Sequence, residues 1–312
     1  MPNSITVFAP ATVANVACGF DALGFALHKP GDRIKATLVK GGKVIIAKIS
    51  GDDGRLPLDA EKNTASVSVI ALLEKLNIKQ GVELEIHKEM PLGSGLGSSS
   101  ASSAGAVFAV NKLLNEPLKI NDLLPFAMEG ERVACGAAHA DNVAPALFGG
   151  FTLVRSYDPL DVIKLPFPED LFCAVIHPHV EILTEDSRRV LRRRIRMEDA
   201  ITQWSNLGGL ISGLYEKDYD RISSSLKDVI FEPIRSLLIP GFDQIKVAAM
   251  ESGALGSSIS GSGPSVFALT KGKQTADKVA KNMQAKLAEL GLESDIYVSA
   301  INPKGPVVLD EN

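Results

Sequence analysis

The stretch PLGSGLGSSSASSAG, Pro91 to Gly105, constrains the fold more than any other, because closely spaced glycines there join a strand pattern to a helix pattern. Upstream, Val82, Leu84, Ile86 and Met90 share one face at period 2, and Glu83, Glu85, His87 and Glu89 share the other, as in a half-buried strand. Downstream, Ala104, Val107, Phe108, Val110, Leu113 and Leu114 continue as a helix that stops near Asn115, Glu116 and Pro117. Gly93, Gly95 and Gly97 permit a tight turn and close approach to a ligand. Ser98, Ser99 and Ser100 stand where a helix leaves its first N–H groups unpaired, and an anion would satisfy them with help from the helix dipole. Glycine and serine also fill ordinary loops, and serine is a common N-cap, so the cluster alone leaves a structural role open. No lysine follows Gly97 as GxxxxGKS/T requires, and the third glycine comes one residue early for GxGxxG. The loop is a phosphate-binding candidate of neither class.

The chain of 312 residues is long enough for one large or two ordinary domains, burying roughly 75% of its unfolded surface. A formal net charge of −4 argues against nucleic acid and directs attention to small molecules. Cys18, Cys135 and Cys173 are widely separated, without a CxxC or His-Cys spacing, which excludes an evident zinc site or disulfide framework and fits a reducing cytoplasm. Pro10, Asn15 and Asp21 interrupt the apolar N-terminal stretch, and no segment reaches about 18 apolar residues, so neither a signal peptide nor a membrane span is expected.

Along the chain, Ile5 to Ala9 reads as a short strand. The small-residue segment after it carries two strongly polar side chains, Asn15 and Asp21, which either cap local backbone or face a ligand. Asp32 to Leu38 and Lys43 to Ile49 have the spacing of an antiparallel hairpin about Gly41 and Gly42. Thr64 to Leu76 and Asn121 to Ala134 read as helices, the second carrying Glu129 and Glu131. Cys135 to Phe151 reads as a loop with His139, Asp141 and Asn142 among small residues; an acid on a solvated face or a structural histidine would be the commoner reading of each alone.

Phe151 to Tyr157 and Phe172 to Ile176 read as strands, and the Pro- and acid-rich segment between them marks a domain boundary, giving units 1–165 and 166–312. Thr184 to Met197 reads as a helix whose apolar stripe is Val190, Leu191 and Ile195, most of its arginines being solvated and Arg188 open. Arg235 lies between two prolines. Gly253 to Leu269 is a second glycine- and serine-rich turn, able to wrap a phosphate from the other side. Gln274 to Leu290 reads as the last helix, Asp295 to Ala300 as a closing strand, and the tail beyond Pro303 as weakly ordered. Strands and helices in mixed order indicate an α+β fold.

PxxxGLGSS at Pro91 to Ser99, the small-residue segment near the N-terminus and the GSSISGSGPS turn near the C-terminus resemble the three signature motifs of the GHMP kinases, in the same order and over essentially the full length. That resemblance implies a two-domain GHMP kinase fold, with a ribosomal protein S5 domain 2-like N-terminal domain, a ferredoxin-like C-terminal domain and the active site between them. ANVACGFDALGFAL, HADNVAPALFGGF, TEDSRRVL and FEPIRSLLIP resemble the branch that phosphorylates L-homoserine, which implies ATP as phosphoryl donor and a place in threonine biosynthesis.

The resemblance puts ATP phosphates on Pro91, Leu92, Gly93, Ser94, Gly95, Leu96, Gly97, Ser98, Ser99, Ser100 and Ala101, and Mg²⁺ on Ser99 and Glu131. Glu131 is preferred to Glu129 because it precedes Asn142 by eleven residues, as the family's metal-binding glutamate does. Asn15, Asp21, Asp141 and Asn142 would meet the substrate amine and hydroxyl, and Arg188 and Arg235 its carboxylate, with His139 and Thr184 also in the substrate site. A zwitterion needs acid at one end and guanidinium at the other, and arginine suits a carboxylate bidentately. Several GHMP kinases place a basic aspartate where this chain has Asn142, so Asp141 either substitutes as base or only binds substrate. Other GHMP kinases, acting on mevalonate, a sugar or shikimate, and a non-catalytic nucleotide-binding protein are the competing expectations. A homodimer is compatible with the sequence.

Overall fold

The computed structural model describes residues 3–136, 139–192 and 194–311. β1 (Ser4–Ala14) and β2 (Leu23–Val39) form a long antiparallel hairpin. The small-residue segment is the turn between them, left-handed at Asn15, Val16, Ala17 and Asp21. β3 (Val44–Ser50) leads to α1 (Thr64–Leu76), which starts where the Asn63 side chain accepts the Ala65 N–H and stops at a left-handed Asn77. Then come β4 (Gly81–His87), α2 (Ser98–Leu113), a 3₁₀ turn at Ile120–Leu123, α3 (Leu124–Cys135), α4 (Ala140–Phe148), β5 (Phe151–Tyr157) and β6 (Leu160–Leu165).

The second half runs β7 (Leu171–Pro178), α5 (Thr184–Arg189), α6 (Met197–Glu216), α7 (Tyr219–Ser225), α8 (Glu232–Arg235), α9 (Phe242–Glu251), β8 (Gly256–Ile259), β9 (Val266–Lys271), α10 (Lys273–Glu289), β10 (Ser294–Ala300) and β11 (Val307–Glu311). The first sheet has the order β11-β1-β2-β4-β3, with β5 on the far end of β2 and β6 beyond β5. The second sheet is β10-β7-β9-β8 and wholly antiparallel.

The alternating burial of the second sheet explains why its strands read as unbroken apolar runs. Cys173, Val175, Phe267 and Leu269 join the large core beneath the first sheet. Ala174, Ile176, Val266 and Ala268, one residue out of phase, join a smaller core closed by Phe242 and Ile245 of α9 and Val279, Met283 and Leu287 of α10. A sheet buried on both faces needs no polar alternation.

Four expectations are corrected. The strands at 32–38 and 43–49 are not a hairpin: β4 lies between them, antiparallel to β2 and parallel to β3, because the α1 crossover returns the chain on the far side. The stretch 135–151 is not a loop, since Ala140, Val143, Ala144, Ala146 and Leu147 bury one helical surface in α4; Ala137 and Ala138 lie outside the described residues. Beyond Thr184 the helix ends at Arg189, and Val190 and Ile195 of the expected stripe are 40% and 51% exposed. As far as Glu311 the tail beyond Pro303 is ordered, because β11 pairs with the otherwise open edge of β1, Ile5 opposite Glu311 and Phe8 opposite Val307. Among the described residues no helix is long and apolar enough to cross a membrane.

Candidate active site

The turn from β4 into α2 is left-handed at Gly93, Gly95 and Gly97. At two of them space as well as φ demands glycine: a Cβ on Gly95 would meet the Ser260 carbonyl oxygen at 2.4 Å, and one on Gly97 would meet Thr12 Oγ1 at 2.0 Å. Gly97 is the N-cap of α2 and brings no side chain to it, so the serines that follow are not caps and the first-turn N–H groups are left for an anion. The hydroxyls of Ser94 and Ser98 are buried without a hydrogen-bond partner, an arrangement that a bound ligand would relieve.

The second glycine turn braces this loop. Ser260 Oγ donates to the Gly95 carbonyl at 2.7 Å, and the Ser265 N–H to that of Ser94 at 3.2 Å. Gly261 and Ser262 of the same turn also line the cleft that opens over the loop, which has a volume of about 940 Å³.

Glu131, 6% exposed on α3, accepts Ser99 Oγ at 3.1 Å and Ser100 Oγ at 2.7 Å. Glu129 instead points outward and pairs with Arg132. Ser99 and Glu131 present hard oxygens at the mouth of the phosphate loop, the donor set that suits Mg²⁺. Among the described residues no group of three His, Cys, Asp or Glu could hold a metal ion.

Elsewhere in the lining of the same cleft charge is arranged in a fork. Arg188 donates from Nη2 to Asp21 Oδ1 at 2.7 Å and from Nη1 to Oδ2 at 3.1 Å. Arg235, 4% exposed, is held by the carbonyls of Ser187 and Gly261 at 3.1 and 3.2 Å and lies 4.8 Å from the centroid of the Phe20 ring. Burial, and then the neighbouring Arg188, lower its pKa to about 10, leaving it charged at neutral pH. Phe20 itself stacks on Phe231 at 3.7 Å. Thr184 Oγ1 is 3.3 Å from Ser262 Oγ.

Asn15 lines the cleft and is bonded to backbone on both sides of its amide. Its Oδ1 accepts the Asp21 N–H at 3.0 Å and its Nδ2 donates to the Gly261 carbonyl at 2.7 Å, so it shapes the turn that presents Asp21. Asp141 and Asn142 occupy the first turn of α4, Asn142 accepting Thr12 Oγ1 at 2.7 Å. Asp141 is 4% exposed, and burial, with the Asp21 and Glu131 carboxylates adding to it, raises its pKa to about 7. His139, which precedes α4, has its pKa lowered by burial and by Arg188, which favours the neutral imidazole.

Most of the residues expected from sequence therefore line one cleft: Leu92 to Gly95, Gly97 to Ser99, Asn15, Asp21, Glu131, His139, Asp141, Asn142, Thr184, Arg188 and Arg235. Leu96, Ser100 and Ala101 are buried beneath the loop, and Pro91 does not line the cleft. Thr12 and Phe20 escaped the sequence reading because an apolar run hides both. Lys88 carried a signal: it falls on the apolar face of Val82, Leu84, Ile86 and Met90, an inward position for a charge.

Residues 63–150 match the family described as GHMP kinases N terminal domain, and residues 210–289 the GHMP kinases C terminal. The homoserine kinase of Chlorobium phaeobacteroides (strain DSM 266) is 52% identical across 98% of this chain and 100% of its own, and that of Chloroherpeton thalassium 48% identical over the same shares. The crystal structure of homoserine kinase from Cytophaga hutchinsonii superposes with a TM-score of 0.97 at 56% identity, covering 99% of this chain and 98% of that one. With both halves matched and relatives this similar along the whole length, the chain belongs to the GHMP kinases, in their homoserine kinase family.

Proposed function

We propose that this enzyme transfers the γ-phosphoryl group of ATP to the hydroxyl of L-homoserine, giving O-phospho-L-homoserine and ADP in threonine biosynthesis. The observation that carries the reading is the make-up of one cleft, which is lined both by an anion-binding loop and by Asp21 with Arg188 and Arg235. A substrate lying between them would present a hydroxyl to the phosphate and a zwitterion to the acid and the guanidinium groups.

In this reading the loop from Pro91 to Ala101 and the N-terminus of α2 hold the nucleotide phosphates, with Ser99 and Glu131 as the Mg²⁺ ligands. Mg²⁺ would neutralise charge on the transferring phosphoryl group. Asp21 takes the substrate ammonium, Arg188 and Arg235 its carboxylate, and His139 and Thr184 complete the wall. Asn15 supports this site by fixing the Asp21 turn. The hydroxyl oxygen bonds to the γ-phosphorus as the bridging oxygen leaves with ADP, and the hydroxyl proton passes to an oxygen of the transferred phosphoryl group and from there to solvent. Asn142 is an amide and takes no proton at neutral pH, so it aligns the hydroxyl, and rate comes from alignment and charge rather than from a dedicated base. Cys18 and Cys173, buried and unpaired with each other, fit work in the reducing cytoplasm.

ADP release measured against homoserine, mevalonate, galactose and shikimate tests the assignment. Release with homoserine alone is expected; release with none of the four would end the kinase reading, and preference for another would end the choice of substrate.

A further inference from the structure

Two opposite charges lie out of water beneath the phosphate loop. Asp32 and Lys88 belong to the inward faces of paired regions, β2 and the end of β4, in phase with Ile34 and Ala36 and with Ile86 and Met90 respectively. Their side chains are 0% and 1% exposed. Charges this buried persist only when every donor and acceptor is used.

Here they are used on the loop. An ammonium has three donors, and Lys88 Nζ directs them to the Asp32 carboxylate, to the Ser98 carbonyl at 2.9 Å and to Ser102 Oγ at 2.9 Å. Asp32 Oδ1 accepts the N–H groups of Glu89 and Met90 at 2.8 and 3.2 Å. Glu89 and Met90 lead into the loop at Pro91, whereas Ser98 and Ser102 lie in the opening turns of α2.

We propose that Asp32 and Lys88 are positioning residues for the nucleotide phosphates, a single ion pair that clips the beginning of the glycine loop to its end. The pair has no donor to spare for a phosphate. It fixes the distance between the strand end and the helix terminus, so that a loop of three left-handed glycines is held in shape before the nucleotide arrives. This inference rests on the reading of the loop as the ATP site.

The test is the double variant Asp32→Asn with Lys88→Met. It removes both charges together, avoiding a lone buried ion, and keeps an acceptor for the Glu89 and Met90 amides. The KM for ATP is expected to rise about tenfold or more, because small misplacement of binding groups is costly, while the KM for homoserine stays within about twofold. An unchanged ATP KM in the folded variant, or an equal rise in both constants, would overturn the proposal, the latter revealing a general packing role. Should the double variant not fold, Ser102→Ala removes a single acceptor of Lys88 and is expected to raise the ATP KM about threefold with the homoserine KM unmoved; no such split would overturn it equally. Wild-type protein without ATP-dependent turnover of homoserine would refute the underlying site reading instead.

Discussion

Asp141 is the residue on which the chemistry can be divided. Its pKa, raised to about 7 from 3.8, means that the native state holds a proton the unfolded chain has released, between those two values. The stability it contributes is complete below about 3.8 and is lost as pH rises through about 7. Asp141→Asn mimics the protonated acid, so its melting temperature should exceed that of wild type by a margin that widens from about pH 4 to about pH 7 and levels off above that, as thermal unfolding at several pH values would show. If alignment rather than a base drives transfer, the variant also keeps turnover within about tenfold of wild type; abolished turnover with homoserine binding intact would make Asp141 the base. The acid itself was legible in the sequence, and its environment was not, because α4 was hidden. Small residues such as Ala140, Ala144 and Ala146 look like loop until the core they are buried in is known.

At the scale of elements, the two glycine-rich turns act as one object. The Gly loop was readable because a strand period, glycines and a helix period follow one another without a gap, and that order is local. Its brace was not, since Ser260 and Gly95 stand 165 residues apart and meet only through the packing of the two halves. Gly97→Ala tests how tightly the object is closed. The new Cβ would lie 2.0 Å from Thr12 Oγ1 at a φ of 66°, so a loss of about 2 kcal/mol or more is expected in chemical denaturation, with ATP binding weakened in parallel. Asn142, 2.9 Å from that same Cβ, would be displaced with it, coupling nucleotide and acceptor sites in one substitution.

For the whole molecule, fold class and helix positions were legible where the apolar period is long, as in α1 and α10, whereas strand partners were not. Pairing of β4 between β2 and β3, and of β11 with β1, depends on which edges remain open after the helices cross over. The division at 165/166 falls where the chain passes from the first sheet to the second, yet β11 returns to the first. Removing residues 307–311 is therefore expected to lower the melting temperature by several degrees and to leave the ATP KM little changed, because the lost ladder lies along β1 and not at the loop. Calorimetry with steady-state kinetics on the truncated chain checks both halves of that statement.

The pairing of β11 with β1 also bears on how the protein is made. Every other strand of the first sheet has been synthesised by Leu165, whereas the partner that covers the edge of β1 follows only at Val307–Glu311. Between those two points the nascent chain carries an unpaired edge able to recruit a neighbour, and the hazard closes once β11 pairs with β1.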